Sequence, residues 1–168
     1  MADIVDKATR SRMMAGIRCK DTEPEMVLRR ALHARGFRYR LHGKDIPGRP
    51  DLILAKYRAV VFVHGCFWHR HGGCRFATTP TSRSTFWTAK FEANRKRDKD
   101  VQCLLASKGW RVATIWGCAL RNPAHVSATC ERLTEWLVSG AAAITIGETD
   151  LVASASANGS ARGGPSWA

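Results

Sequence analysis

The sequence predicts one α/β domain carrying a metal staple, and three observations lead there. A chain of 168 residues is long enough to bury a substantial apolar core in a single domain. Its hydrophobic periodicity switches from helical to strand-like and back along the first 140 residues, in the order helix, three strands, helix, strand, helix. Cysteine and histidine then cluster with the spacing of zinc ligands.

Thr9 to Lys20 reads as helix, with Met13, Met14 and Ile17 set among Arg10, Arg12 and Arg18. Such a mixture suits a surface laid on a polyanion better than a core, so residues 1–20 are read as a DNA-contacting helix. Thr22-Glu23-Pro24-Glu25 fits a capping box, in which the Thr22 side chain accepts from the Glu25 N–H and Glu25 reaches back to residue 22. In the helix that follows, Val27, Leu28, Ala31 and Leu32 form the buried stripe, Arg29, Arg30 and Arg35 lie outside it, and Gly36 is the stop. Phe37, Tyr39 and Leu41 alternate with Arg38 and Arg40, which predicts a first strand exposed on one side. Asp51 to Ala55 is the second strand, after the Pro47-Gly48-Arg49-Pro50 loop, and the apolar run Ala59 to Val63 is a buried third. Ser84 to Ser107 is a long helix ending at Gly109, Trp110 to Trp116 a fourth strand, and roughly Ala124 to Ser139 a last helix.

From Ala141 onward the chain turns to Ala, Gly, Ser and Thr, with Ile144, Ile146, Leu151, Val152 and Trp167 its only large apolar residues. Residues 1–140 are therefore expected to be the domain and 141–168 a disordered, low-complexity tail. The net charge is +13, and the first 140 residues alone hold 26 basic and 12 acidic residues. A domain this basic is expected to meet nucleic acid. No apolar run reaches the roughly 18 residues of a membrane span, and the start MADIVDKATRSR has no apolar signal core, so a cytoplasmic protein is expected. In that reducing compartment the six cysteines are better explained by metal or burial than by disulfides.

Cys66, His71, Cys74 and, at the end of the fourth strand, Cys118 make a Cys3His set for zinc. Four protein ligands leave no open position, so the role is structural. Asp51 and Val63-His64 lie on neighbouring strand ends, where the Asp51 carboxylate and the Val63 carbonyl would offer hard oxygen ligands to Mg2+. His69, an imidazole that can take a proton from water near neutral pH, is the candidate base. His64 would bond a metal-bound water, while Glu25 and Asp98 would act as supporting carboxylates. Each has a plainer reading: Asp51 as a turn residue, Glu25 as a cap, Asp98 as one half of a helix salt bridge. Phe67 and Trp68 follow the first zinc ligand on a loop with no evident apolar partners nearby, which suits base stacking, and Phe86-Trp87 is a second aromatic pair. Trp110, Trp116 and Trp136 are assigned to the core.

The strings ATRSRMM, GRPDLIL, VFVHGCFWHRHGGC, TFW and GWRVATIWGCALR, in that order, resemble the very short patch repair endonuclease family over residues 1 to about 140. The resemblance implies a restriction-endonuclease-like fold, with a central mixed sheet flanked by helices. It implies hydrolysis of one phosphodiester bond 5′ of the thymine in a T·G mismatch, with catalytic Mg2+ and structural Zn2+, in repair of deaminated 5-methylcytosine. Carried over by motif, Asp51 and the Val63 backbone would hold magnesium, His69 would be the base, and His64, Glu25 and Asp98 would support them. Phe67, Trp68 and Trp87 would intercalate beside the mismatch, with Met14 and Ile17 pressing from the other side. Double-stranded DNA is the implied partner of a monomer, with a link to general mismatch-repair proteins. The chain departs from the pattern at Val63, where the family has Thr, and by one extra residue between His71 and Cys74, which Gly72 and Gly73 are expected to absorb through unusual backbone angles. A restriction-type enzyme cutting both strands and a zinc-stapled binding module without catalysis are the rival readings.

Overall fold

A computed structural model describes residues 20–152, together with residues 6, 8, 9 and 12. Helix α1 spans Glu23–Ala34, α2 Ser84–Ser107 and α3 Pro123–Ser139; the strands are β1 Arg40–Leu41, β2 Leu52–Leu54, β3 Ala59–His64, β4 Arg111–Trp116 and β5 Ala143–Ile146. The five strands form one sheet in sequence order. β1, β2 and β3 pair antiparallel, whereas β3, β4 and β5 pair parallel through the crossover helices α2 and α3. The sheet is thus mixed, with its antiparallel part leading into its parallel part at β3.

Both faces of the sheet are covered, which is why β2 and β3 read as continuous apolar runs. On one face Leu52, Leu54, Val61, Ala113 and Ile115 meet Leu28 and Leu32 of α1 and Leu133 and Leu137 of α3. On the other, Ile53, Val60, Phe62 and Val112 meet Leu105 of α2. The alternation of neighbours such as Val60 and Val61 between the two clusters follows the two-residue period of a strand. Only Phe91, Asn94 and Leu105 of the 24 residues of α2 are buried, which leaves Lys90, Arg95, Lys96, Arg97 and Lys99 exposed along it. Among the described residues no helix is long and apolar enough to cross a membrane.

Several local expectations are corrected. The first strand is two residues long; Phe37 and Tyr39 pack on the larger cluster before it begins, while Leu41 faces outward. Arg29 is buried rather than outside the helical stripe, because Glu25 and Asp21 both pair with its guanidinium. The capping box closes differently: the Thr22 hydroxyl donates to Glu25 Oε1 at 2.8 Å, and Glu25 Oε2 accepts from the Asp21 N–H at 3.0 Å and from Arg29 at 2.8 Å. The largest correction concerns the expected tail. Ala143–Ile146 adds a fifth strand along the free edge of β4, and Ile146 and Leu151 are buried in the larger cluster. An edge strand needs only a few inward apolar side chains, and pairing satisfies backbone groups that β4 would otherwise expose. The domain therefore runs to residue 152 at least. Met14, Ile17 and most of the expected first helix, like residues 153–168, lie outside the described residues.

Candidate active site and metal centre

The antiparallel pairing of Leu52 with Val61 sets the start of β2 beside the end of β3, and Asp51 and Val63 meet there. The Asp51 N–H donates to the Val61 carbonyl at 3.0 Å, and the Val63 N–H donates to Asp51 Oδ2 at 2.7 Å. A strand residue points its N–H and C=O to the same edge, so the Val63 carbonyl faces the gap that holds the Asp51 carboxylate. Burial and the nearby Glu25 charge raise the Asp51 carboxyl to about 6, against the Val63 hydrogen bond and the Arg29 and His42 charges. A carboxylate in this position gains from a cation. It opens onto a cleft of about 630 Å³ that Glu25, Val63, His64, His69 and Asp98 also line.

His64, His69 and Asp98 converge within that cleft. The two imidazoles stack at 3.9 Å between centroids and 9° between planes. His69 Nδ1 meets Asp98 Oδ2 at 2.5 Å, an arrangement that fixes the ring and leaves Nε2 as its other nitrogen. Burial works to raise the Asp98 carboxyl, but the hydrogen bond and charge of His69, with His64 and Arg97, hold it below the ordinary value. Burial and the neighbouring His69 lower His64 to about 4, so this ring is neutral at neutral pH. The bland reading of Asp98 as one half of a helix salt bridge gives way to a histidine partner, although Arg97 also stands 3.7 Å from it.

Glu25 keeps a place in the cleft wall, yet both its oxygens are engaged by Thr22, Asp21 and Arg29. Asp21, Glu25 and His42 form another group of possible metal ligands, but the Arg29 guanidinium already lies among them. Sequence reasoning missed Arg29; its only signal was the four-residue spacing from Glu25. It also missed Asn94, a buried residue whose amide donates to the Trp68 carbonyl at 3.0 Å and ties the aromatic loop to α2.

Cys66, His71, Cys74 and Cys118 bring their ligand atoms within 4.8 Å of one another. His71 Nδ1 lies 3.4 Å from Cys118 Sγ and 3.9 Å from Cys66 Sγ. Tetrahedral zinc, with bonds of about 2.3 Å to sulfur and about 2.0 Å to nitrogen, sets ligand atoms roughly 3.5–3.8 Å apart, so the set fits the ion. A hydrogen bond from Cys118 holds the Cys66 thiol below its ordinary value, and the same contact with burial drives Cys118 above it. Of the two glycines between His71 and Cys74, Gly73 takes the left-handed conformation at φ 68°, and Gly72 does not share it. The ring of His71 stacks on Trp116 at 4.2 Å, and Trp116 meets His64 edge-on at 5.5 Å. Trp116 is thus a bridge between the two centres, while Trp136 is a core residue as expected.

Phe67 and Trp68 do have apolar partners. Phe67 lies edge-to-face with Trp68 at 5.1 Å, Trp87 at 5.4 Å and Phe91 at 5.2 Å, the last two on α2. Phe67, Trp68 and Trp87 are half-buried against the first turns of that helix, Phe91 is buried beneath them, and Phe86 is exposed next to them.

Comparison with known proteins returns a consistent picture. Residues 2–75 match the family model described as DNA mismatch endonuclease Vsr. The chain is 44% identical over 135 residues to the type II nicking enzyme V.XorIIP of Xanthomonas oryzae pv. oryzae, covering 80% of this chain and 98% of that protein. It is 41% identical over 148 residues to the DNA mismatch endonuclease Vsr of Escherichia coli strain K12, covering 87% and 94%. The type II nicking enzyme V.NmeAIP of Neisseria meningitidis serogroup A is 40% identical over 133 residues, covering 79% and 94%.

Proposed function

Because this chain belongs to the Vsr family of DNA mismatch endonucleases, we propose that it nicks one strand of duplex DNA 5′ of the mismatched thymine in a T·G pair. The observation that carries this reading is the convergence of Asp51, Val63, His64, His69, Asp98 and Glu25 on one cleft, supplied by α1, α2, β3, the residue before β2 and the loop after β3. The family's restriction-endonuclease-like fold is the frame we assign to the mixed sheet.

In this reading the Asp51 carboxylate and the Val63 carbonyl hold Mg2+, whose bound chemistry is charge neutralisation at a phosphate oxygen. The missing threonine side chain at position 63 takes nothing from a carbonyl ligand. His69, oriented through Nδ1 by Asp98, accepts a proton from the attacking water at Nε2. His64 stacks on it as a neutral ring and holds its plane. Glu25, fixed by Thr22 and Arg29, shapes the cleft wall and keeps a negative field beside Asp51. The exposed basic residues of α2 meet phosphates and set orientation without reading bases. Phe67, Trp68 and Trp87, opposed by Met14 and Ile17, enter the stack beside the mismatch, where unstacking costs less than in a matched duplex. Cys66, His71, Cys74 and Cys118 would hold zinc, which would tie the aromatic loop to the end of β4. The protein works as a monomer on double-stranded DNA, in the repair of deaminated 5-methylcytosine, with general mismatch-repair proteins as partners.

A strand-labelled duplex bearing T·G within a methylated-cytosine recognition sequence tests the proposal. One Mg2+-dependent nick 5′ of the thymine is expected, with loss on Asp51→Ala. Equal cutting of both strands of a matched duplex would favour a restriction-type enzyme instead, and an active Asp51→Ala variant would remove the assigned metal ligand.

A further inference from the structure

The parallel register of β5 on β4 pairs Ile146 with Ile115. The chain leaving β5 therefore arrives at the same end of the sheet as the turn after β4 that carries Cys118. Gly147 lies there against the ring of His71: a Cβ at this position would stand 2.5 Å from Cε1 and 2.8 Å from Nε2. Its φ is not among the positive values, so close approach and not backbone conformation is what calls for glycine. Nδ1 of the same ring faces the sulfurs, which puts Gly147 behind the ligand, on its far edge.

The next residue touches the cluster directly. The Glu148 N–H donates to Cys118 Sγ at 3.3 Å, and the Glu148 carboxylate pairs at 3.1 Å with Arg75, the neighbour of Cys74. The turn is held from behind as well. Asp150 Oδ2 accepts from the Gly147 N–H at 2.7 Å, Arg132 of α3 donates to the Asp150 carbonyl at 2.6 Å, and Ile146 and Leu151 are buried on either side.

We propose that residues 147–150 are an outer shell of the zinc centre: Gly147 seats the His71 ring with Nδ1 toward the sulfurs, and the Glu148 N–H stabilises the Cys118 thiolate. The inference rests on the reading of the Cys3His set as a zinc site. Groups that orient a ligand or hydrogen-bond a coordinating sulfur change metal affinity by roughly 10–100-fold. A segment with the composition of a dispensable tail is thereby part of the metal centre.

The test is made on the full chain, with zinc content measured by elemental analysis and zinc release followed with a chromogenic chelator. Gly147→Val forces a side chain into the His71 ring. Glu148→Pro removes the N–H at the first position of the helical turn over 148–152, where proline is tolerated. Glu148→Ala keeps the N–H and removes only the partly exposed Arg75 pair. Gly147→Val and Glu148→Pro are expected to release zinc about tenfold faster or more, and Glu148→Ala close to the wild-type rate. Cobalt-substituted Glu148→Pro should show a shifted thiolate-to-metal absorption band. Where Gly147→Val fails to fold, Glu148→Pro, with its circular dichroism matched to wild type, decides the matter. Zinc release from Glu148→Pro at the wild-type rate with an unshifted cobalt band would overturn the outer-shell role, whereas wild-type protein holding no stoichiometric zinc would overturn the zinc reading itself.

Discussion

Replacing Asp51 by Asn is expected to stabilise the metal-free protein while abolishing its nicking activity. Asparagine keeps the volume and an oxygen that can accept from the Val63 N–H, but removes a charge that is buried near Glu25. The folded-state carboxyl sits at about 6, above its ordinary 3.8, so the native state binds the proton more tightly than the unfolded chain. The sign follows: Asp51 costs nothing below about pH 4, its penalty grows through pH 4–6, and it is fully present above. At about 1.4 kcal/mol per pH unit of displacement, the penalty at pH 7.5 is on the order of 2–3 kcal/mol, or roughly 5–10 °C in Tm for a domain of this size. Urea unfolding of wild type and Asp51→Asn in chelator selective for Mg2+, at pH 7.5 and pH 4.5, measures it. Adding Mg2+ should then raise the wild type alone, by about 2.7 kcal/mol at one hundred times its Kd. A variant no more stable than wild type at pH 7.5, or a difference indifferent to pH, would refute the reasoning.

Asp98→Asn should leave duplex binding intact and lower the single-turnover nicking rate by roughly 10²–10⁴-fold, because the His69 ring loses its orienting carboxylate; a change confined to KM would contradict that role. Arg29→Ala strands the buried Glu25 carboxylate and is expected to destabilise the fold by about 3–5 kcal/mol, read by urea unfolding. Trp68→Ala should weaken binding to a T·G duplex by about 1–3 kcal/mol, measured by fluorescence titration, with a smaller loss on matched DNA; equal losses would count against intercalation.

The elements whose pattern is local were legible before any coordinates. β3 is a continuous apolar run, and α2 begins and ends where its helical stretch does, at Ser84 and Ser107. The Cys3His set was readable because three of its members lie within nine residues, and the fourth closes the next strand. The His69–Asp98 contact spans 29 positions; Asp98 could be read as a supporting carboxylate, but no spacing in the sequence set it against His69. Nothing local announced that His64 and His69 would stack, since the stacking depends on the turn after β3 folding back. β5 was missed for another reason: Ile144, Thr145 and Ile146 are good strand formers, but the run is only four residues long in a stretch otherwise rich in Ala, Gly, Ser and Thr, and it is the free edge of β4 that gives it a partner. Arg29 was misplaced because helical spacing alone treats an arginine as solvent-seeking, whereas two carboxylates can carry it inward.

One row of rings runs from the sulfur cluster to the candidate base: His71 against Trp116, Trp116 against His64, His64 against His69. Packed planar groups of this kind transmit displacement because none can tilt without moving the next. Demetallation would free the first ring of the row while both apolar layers of the sheet kept their packing. If the Cys3His set holds zinc and His69 is the base, stripping the ion should therefore silence cleavage well before the backbone melts, and the metal centre would serve the chemistry from a distance, as the footing on which that base stands.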